Sequence, residues 1–287
     1  MSKRELNFSG PSPLLYLIAT PIGNLQEMTP RALSLLREAD YLAAEDTRNS
    51  GKLMAYFNID KPWISCHEHN EMAASEKIVS LLLQGKKVCY MSDAGYPTLS
   101  DPGQRLVATC LEHGIKVAVV SGPCAAINAL SCSGLDSSRF YFQGFLPAKD
   151  AERDEELRHL ASREETLIFY ESPHRIGKTL MAMASLLGRR KACIARELTK
   201  AHEEYIRGDL SELCLEPADS LRGEMVIVVE GRGKREKEEI SDEQIAAALA
   251  EEKKKGRSGK EAVKEVTSLL AVAKNRVYAV YLSLKEE

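Results

Sequence analysis

Short apolar runs alternate with amphipathic stretches along most of the chain. Residues 14–19 form a wholly apolar run that reads as a buried strand, stopped by Thr20-Pro-Ile-Gly-Asn24. Residues 30–39 carry helical spacing, with Thr29 as N-cap and Pro30 in the first position. A strand at 41–45, helices at 50–57 and 71–84, and a strand at 88–91 follow, with Gly85 ending the second of those helices. A turn-rich segment from Ser92 to Gly103 leads into a helix at 104–113, stopped by Gly114, and a strand at 117–120. This βαβαβαβ order, with apolar strands, predicts a mostly parallel sheet covered on both faces.

A second α/β unit is expected after a small-residue helix at about 122–134. It has strands at 140–144, 166–170, 191–195 and 225–230, and a helix at 175–187. From Gly231 the composition shifts to a charged linker, Gly231-Arg-Gly-Lys-Arg-Glu-Lys237. Ser241 then opens an amphipathic helix with a capping-box pattern, Lys253 to Lys260 is a basic turn, and helices follow at about 261–271 and 275–284. The fold class is therefore α/β, with domains at 1–122 and 123–232 and a linker plus small helical region at 233–287. From Gly231 on the chain carries 13 Lys and Arg against 11 Asp and Glu, while its overall net charge is −3. This last segment suits either a solvated appendage or docking on a partner or nucleic acid.

Four loops leave the carboxyl ends of apparent parallel strands, where open α/β sheets bind ligands. They are Thr20-Pro-Ile-Gly-Asn24, Glu45-Asp-Thr-Arg48, Ser92-Asp-Ala-Gly-Tyr-Pro97 and Ser121-Gly-Pro-Cys-Ala-Ala126. Gly122-Pro123 ahead of Ala125 and Ala126 puts backbone N–H groups at a helix start with no bulk beside them, which suits a ligand pressed against the main chain. Two further clusters, Tyr170-Glu-Ser-Pro-His-Arg175 and Arg196-Glu-Leu-Thr-Lys200, mix carboxylates with cations after short apolar strands. They read as structural ion pairs or as a grip on an anionic substrate.

Composition narrows the function classes. The net charge argues against a generic polyanion binder. The chain has no GxxxxGK[ST], GxGxxG, CxxC, HExxH or GxSxG pattern, which disfavours a Walker nucleotidase, a standard dinucleotide fold, zinc catalysis and a serine-hydrolase elbow. The His67-Glu-His69 triplet lacks the spacing that puts two ligands on one helix face, and no metal is expected. Seven scattered cysteines suit buried thiols in a reducing compartment. Without a signal peptide or an apolar span, a cytoplasmic location is expected.

Six collinear motifs resemble those of the ribosomal RNA small subunit methyltransferase I family, in the tetrapyrrole methylase superfamily. They are Leu15-Tyr-Leu-Ile-Ala-Thr-Pro-Ile-Gly-Asn-Leu25, Ala44-Glu-Asp-Thr-Arg48, Ser92 to Gly103, Gly144-Phe-Leu-Pro147, Glu171-Ser-Pro-His-Arg175 and Arg196-Glu-Leu-Thr-Lys200. The resemblance implies two α/β domains with S-adenosylmethionine (SAM) in the cleft between them. It implies 2′-O-methylation of a cytidine ribose in the decoding region of 16S rRNA, presented as naked rRNA or as a 30S subunit, by a homodimer. The cofactor loops it implies are Pro21 and Gly23; Asp93, Ala94, Gly95, Pro97 and Ser100; and Ser121, Gly122, Pro123, Ala125 and Ala126. Asp93 is expected to face the cofactor, and Ser100 or Asp101 to cap the helix from Gln104. Lys200, Glu171, Glu45 and Asp46 are candidates to accept the hydroxyl proton, and Arg48, Arg175 and Arg196 to hold phosphates. Tyr96 stands where the resemblance has Thr, and Ser121-Gly-Pro-Cys124 where it has Pro-Gly-Pro-Ser. Competing readings are a superfamily member acting on a tetrapyrrole or other small acceptor, and a non-catalytic RNA-binding ribosome assembly factor.

Overall fold

The structure is a computed structural model that describes residues 6–7, 14–217, 220–233, 241–270 and 272–286. Most of the charged linker, 234–237, and the end of the helix expected at 261–271 lie outside them. The chain divides into two compact units, residues 1–231 and 232–287.

In the first unit a parallel sheet is built from β1 (Leu14–Ile18), β2 (Tyr41–Ala44), β3 (Trp63–Ser65), β4 (Val88–Met91) and β5 (Lys116–Val120), in the order β3-β2-β4-β1-β5. Its crossovers are α1 (Pro30–Glu38), α2 (Thr47–Tyr56), α3 (Glu71–Leu83) and α4 (Gln104–Glu112). Alternation along the strands sends Leu15, Leu17 and Tyr90 to the face packed with Ile78, Leu82 and Leu106 of α3 and α4. Ile18, Cys89 and Met91 go to the opposite face, against Ala32, Leu36 and Met54 of α1 and α2. Burial raises the thiol pKa values of Cys66 and Cys89 to about 12, so both stay protonated packing groups.

The second sheet is mixed, ordered β6-β7-β10-β8-β9. Here α5 (Ala125–Ser133) precedes β6 (Phe140–Phe145), α6 (Asp150–Leu160), β7 (Thr166–Glu171), α7 (Ile176–Leu187), β8 (Lys191–Arg196), β9 (Glu204–Asp209), the short α8 (Leu210–Leu213) and β10 (Met225–Val229). Only β6 and β7 run parallel; the other pairs are antiparallel. α5 covers one face with Ala126, Ala129 and Leu130, against Ile168, Cys193, Ala195, Val226 and Val228. Ile22, from the loop after β1, packs on the same cluster and ties the first sheet's loops to the second sheet.

The second unit is a three-helix bundle: α9 (Asp242–Lys254), α10 (Gly259–Leu270) and α11 (Lys274–Glu286), around Ile245, Leu249, Val263, Val266 and Val277. The capping box at Ser241 is present, Ser241 Oγ accepting the Gln244 N–H and Gln244 Oε1 accepting the Ser241 N–H. Among the described residues no helix is long and apolar enough to cross a membrane.

Four elements lack a sequence signal: β3 has three residues, β9 is polar, α6 is mostly charged, and α8 is a single turn. The cap of α4 also differs from expectation. Neither Ser100 nor Asp101 caps it: Gly103 holds the N-cap position and makes no side-chain bond. Glu71, the first residue of α3, supplies the cap instead, its Oε1 accepting the N–H groups of Gly103 and Arg105 at 3.0 Å each. Replacing Glu71 by Ala removes the acceptor of two N–H groups at a helix start and should cost about 1–2 kcal/mol. Urea unfolding of E71A against the parent chain checks this.

Candidate active site

The four turn-rich loops gather at the carboxyl edge of the parallel sheet. The loops after β1 and β4 are stitched together by an isolated antiparallel bridge: Thr20 N–H donates to Gly95 O at 2.9 Å, and Gly95 N–H to Thr20 O at 3.0 Å. Thr20 Oγ1 adds a bond to Ser92 O at 3.0 Å. Gly95 sits at φ +76°, and the same loop holds Thr98 and Ser100 at φ +73° and +63°. Such left-handed non-glycine residues need surrounding structure to hold them. The loop after β5 lies close to the end of β1, where a Cβ on Gly122 would come within 2.9 Å of the Ala19 Cβ. Tyr96 reaches across this floor, and its hydroxyl accepts the Gly122 N–H at 3.3 Å.

Above the floor is a cavity of about 280 Å³. The first sheet's loops line it with Ala94, Gly95, Tyr96, Ser100 and Asp101, and the start of α5 with Cys124 and Ala125. The second sheet adds Phe145, Tyr170, Glu171, Ser172, Leu198 and Glu224, with Ile22, Met225 and Val226 completing an apolar wall. Ala94, Gly95, Ser100 and Ala125 therefore reach the cavity, as does Glu171. Pro21, Pro97 and Ala126 are buried behind it, and Gly23, Ser121, Gly122 and Pro123 shape the surrounding turns without lining it.

The carboxylates occupy distinct settings. Asp101 accepts a short hydrogen bond from Ser92 Oγ, which itself accepts the Ala94 N–H at 3.1 Å. Burial raises the Asp101 pKa; the Ser92 bond works against this and Asp93 adds to it. Glu45 is also pushed up, first by burial and then by Asp101 and Asp93. Asp93 does not line the cavity: it is exposed and takes Asn49 Nδ2 and Ser50 Oγ of α2 at 3.4 Å each. Asp46 is the N-cap of α2, held to about 2 by hydrogen bonds from the Arg48 side chain and backbone N–H. A carboxylate that acidic is a weak proton acceptor at neutral pH.

On the second sheet Glu171 is only 3% exposed and its oxygens are occupied. Oε2 accepts Thr179 Oγ1 at 2.6 Å, Oε1 accepts the Ser172 N–H at 2.8 Å, and Arg175 Nε stands 3.6 Å from Oε1. Arg175 Nη2 donates to Leu146 O and Pro147 O at 2.9 Å each, so this guanidinium fastens the loop after β6. Arg196 pairs with Glu204 and donates to Arg222 O at 3.2 Å. Only Arg48 among the three arginines is well exposed, at 87% of its side chain, while it binds Asp46 through two nitrogens.

Lys200 lies in the β8–β9 loop, where Glu197 and Thr199 take φ values of +50° and +67°. Its Nζ bonds Glu197 Oε1 at 3.0 Å and Glu224 Oε2 at 3.2 Å. Burial opposes the ammonium, but these two bonds outweigh it and raise the Lys200 pKa, so Lys200 is a cation rather than a base. Its stem crosses Gly23, where a Cβ would meet Lys200 Cγ at 2.6 Å. Asp101, Tyr170, Phe145 and Glu224 are site residues that spacing did not single out. Asp101 lay inside a motif already in view, where its place three residues before a helix disguised it as a cap.

This cavity fits a cationic ligand with a flat apolar part: small residues expose backbone on one side, apolar side chains form the other, and Asp101 supplies negative charge, Glu171 and Glu224 being paired with Arg175 and Lys200. Among the described residues no group of three or more His, Cys, Asp or Glu could hold a metal ion.

Residues 14–214 match the tetrapyrrole (corrin/porphyrin) methylase family. The chain is 42% identical to the ribosomal RNA small subunit methyltransferase I of Bacillus subtilis over 98% of its own length and 99% of the relative's. It is 44% identical to the protein of that name from Haemophilus influenzae, over 96% and 98%. Among solved structures, the methyltransferase CobJ superposes with a TM-score of 0.59 at 16% identity, covering 77% of this chain and 94% of that one, which supports the fold alone. The motifs, the two sheets and the near-full-length similarity agree: the chain belongs to the ribosomal RNA small subunit methyltransferase I family of tetrapyrrole methylases.

Proposed function

We propose that the protein is a SAM-dependent methyltransferase that modifies a cytidine ribose 2′-oxygen in the decoding region of 16S rRNA, acting as a cytoplasmic homodimer. The observation that carries the site assignment is the cavity of small residues and carboxylates at the strand ends, with Asp101 half-buried in its wall. The relatives' name supplies the RNA substrate.

Bound in this cavity, SAM supplies an electrophilic methyl carbon on a positively charged sulfur. Ala94, Gly95 and Ala125 would present backbone to it, with Ser100 at the rim, while Asp101 would balance the charge and Glu171 and Glu224, paired with Arg175 and Lys200, would border it. Pro21, Gly23, Asp93, Pro97, Ser121, Gly122, Pro123 and Ala126 act one layer out, holding those loops in shape. Most of the rate comes from positioning the acceptor oxygen in line with the methyl carbon. A ribose hydroxyl also needs its proton accepted. Asp101 is the best placed base: it lines the cavity and has a raised pKa, whereas Glu171 is committed to its buried partners, Asp46 is too acidic and Lys200 is protonated. Glu45 is also raised, in part by the Asp101 charge, and does not line the cavity. Arg48 is the well-exposed candidate for a phosphate, and Lys200 would meet one by exchanging a carboxylate partner; Arg175 and Arg196 act by fixing the loops they bind.

Incubation with labelled SAM and 30S subunits, naked rRNA or a porphyrinogen should label a cytidine ribose of 16S rRNA, read by nuclease mapping. Label in the porphyrinogen alone would return the enzyme to a tetrapyrrole role, and SAM binding without transfer would favour an assembly factor. Asp101→Asn should lower kcat about 10²-fold or more and, by removing a charge that balances SAM, weaken SAM binding by a smaller factor. Because Asp101 must be ionised to act, the parent rate should climb with pH through a value above that of an ordinary aspartate, and the variant should lack that limb. Gly23→Ala should displace the Lys200 stem and weaken RNA binding, with a smaller effect on SAM binding by calorimetry.

A further inference from the structure

Phe145 ends β6 at the rim of the cavity and is 53% exposed. Single exposed apolar side chains are common on protein surfaces, but several independent constraints aim this one. A β-bulge between Phe142 and Gly144 breaks the alternation of β6 and turns the end of the strand. Gly144 sits at φ +72°, and a Cβ there would come within 3.1 Å of Ser100 Oγ in the loop opposite. Immediately after Phe145, the carbonyls of Leu146 and Pro147 are both held by Arg175 Nη2, which the buried Glu171 anchors in turn. On its inner side the Phe145 ring meets Tyr170 edge to face, with centroids 5.6 Å apart, and Tyr170 meets Phe142 in the same way at 5.0 Å. The result is an aromatic ring braced on one side and open to solvent, lining the same cavity as Asp101.

We propose that Phe145 is the stacking platform for the base of the acceptor nucleotide, taken from RNA as an unpaired base. The proposal rests on the RNA-methylation reading above. RNA is recognised largely through unstacked bases laid on aromatic side chains, and every base offers a π-face for this. Stacking on Phe145 holds the nucleotide by its base at the cavity mouth and leaves the ribose to enter toward Asp101. This supplies the orientation that methyl transfer needs, with no base-specific contact from the ring itself.

The test uses F145A, F145L and F145W in the full chain, each first checked for unchanged thermal unfolding. The probe is a single-stranded fragment of small-subunit rRNA with a fluorescent cytidine analogue at the acceptor position found by mapping. The parent and F145W should quench the probe. F145A and F145L should bind it about 10-fold or more weakly, without quenching, and show a matching rise in KM for RNA. SAM affinity, measured by calorimetry without RNA, should stay unchanged in all three. Parent-like RNA binding by F145A and F145L overturns the platform, as does a loss of SAM affinity with RNA binding intact, which would hand the ring to the cofactor's adenine. A parent chain that methylates no RNA would instead remove the RNA reading, and the platform with it.

Discussion

The two-way backbone bridge between Thr20 and Gly95 is the constraint on which the site depends. It joins the loops leaving two neighbouring parallel strands, β1 and β4, so that neither can move without the other. Only a residue at ease with positive φ suits the Gly95 position. The bridge also fixes the direction of Ile22, which packs into the second sheet's core. One local contact thus sets the floor of the cavity and its distance from the opposite wall. With the floor made of backbone, a ligand can approach closely at Ala94 and Gly95, and the selective groups are left to the loop ends.

The opposite wall is organised around the buried carboxylate of Glu171. A buried charge needs partners, and this one has Thr179, the Ser172 N–H and Arg175. Arg175 carries the restraint onward to two carbonyls of the next loop. Substituting Glu171 would therefore disturb Arg175, the loop after β6 and the cavity together, and a loss of activity there would not identify a base. Such a residue acts by holding others. The same holds for Glu197, which keeps the Lys200 ammonium and the Glu224 N–H in register, and whose own acidity is strengthened first by the Lys200 bond.

Four strands of the parallel sheet were legible because they are apolar, and α1, α3 and α4 have a clear start or stop, such as Thr29-Pro30 or Gly85; β3 and the capped start of α2 were not. The site loops were legible as a group, since turn formers recurred at four strand ends. Individual roles were not. Asp93 bonds Asn49 and Ser50 of α2, and Asp101, expected as a cap of α4, lines the cavity. The reason is Glu71, 32 residues away from Gly103 in sequence, which takes over the cap of α4 and frees Asp101. No local spacing can report a cap supplied by another helix. Likewise β9 is hidden because an edge strand needs no apolar face; its residues Glu204 and Arg207 serve Arg196 and the end of α5 instead.

Tyr96 sharpens what the cavity requires of this loop. Its ring lines the cavity, and its hydroxyl accepts a hydrogen bond from the backbone of Gly122, in the loop after β5. A large side chain at this position therefore does not simply fill the pocket. It spans from the β4 loop to the β5 loop and satisfies a backbone donor beside the cavity. Gly122 cannot carry a side chain, because Ala19 stands where its Cβ would go. The ring and the glycine thus fit together: the floor stays thin where the β1 and β5 loops touch, and the bulk is supplied from the next loop. The departure from the resemblance at Tyr96 changes the shape of the wall while leaving Asp101, Ala94 and Ala125 free to meet a ligand.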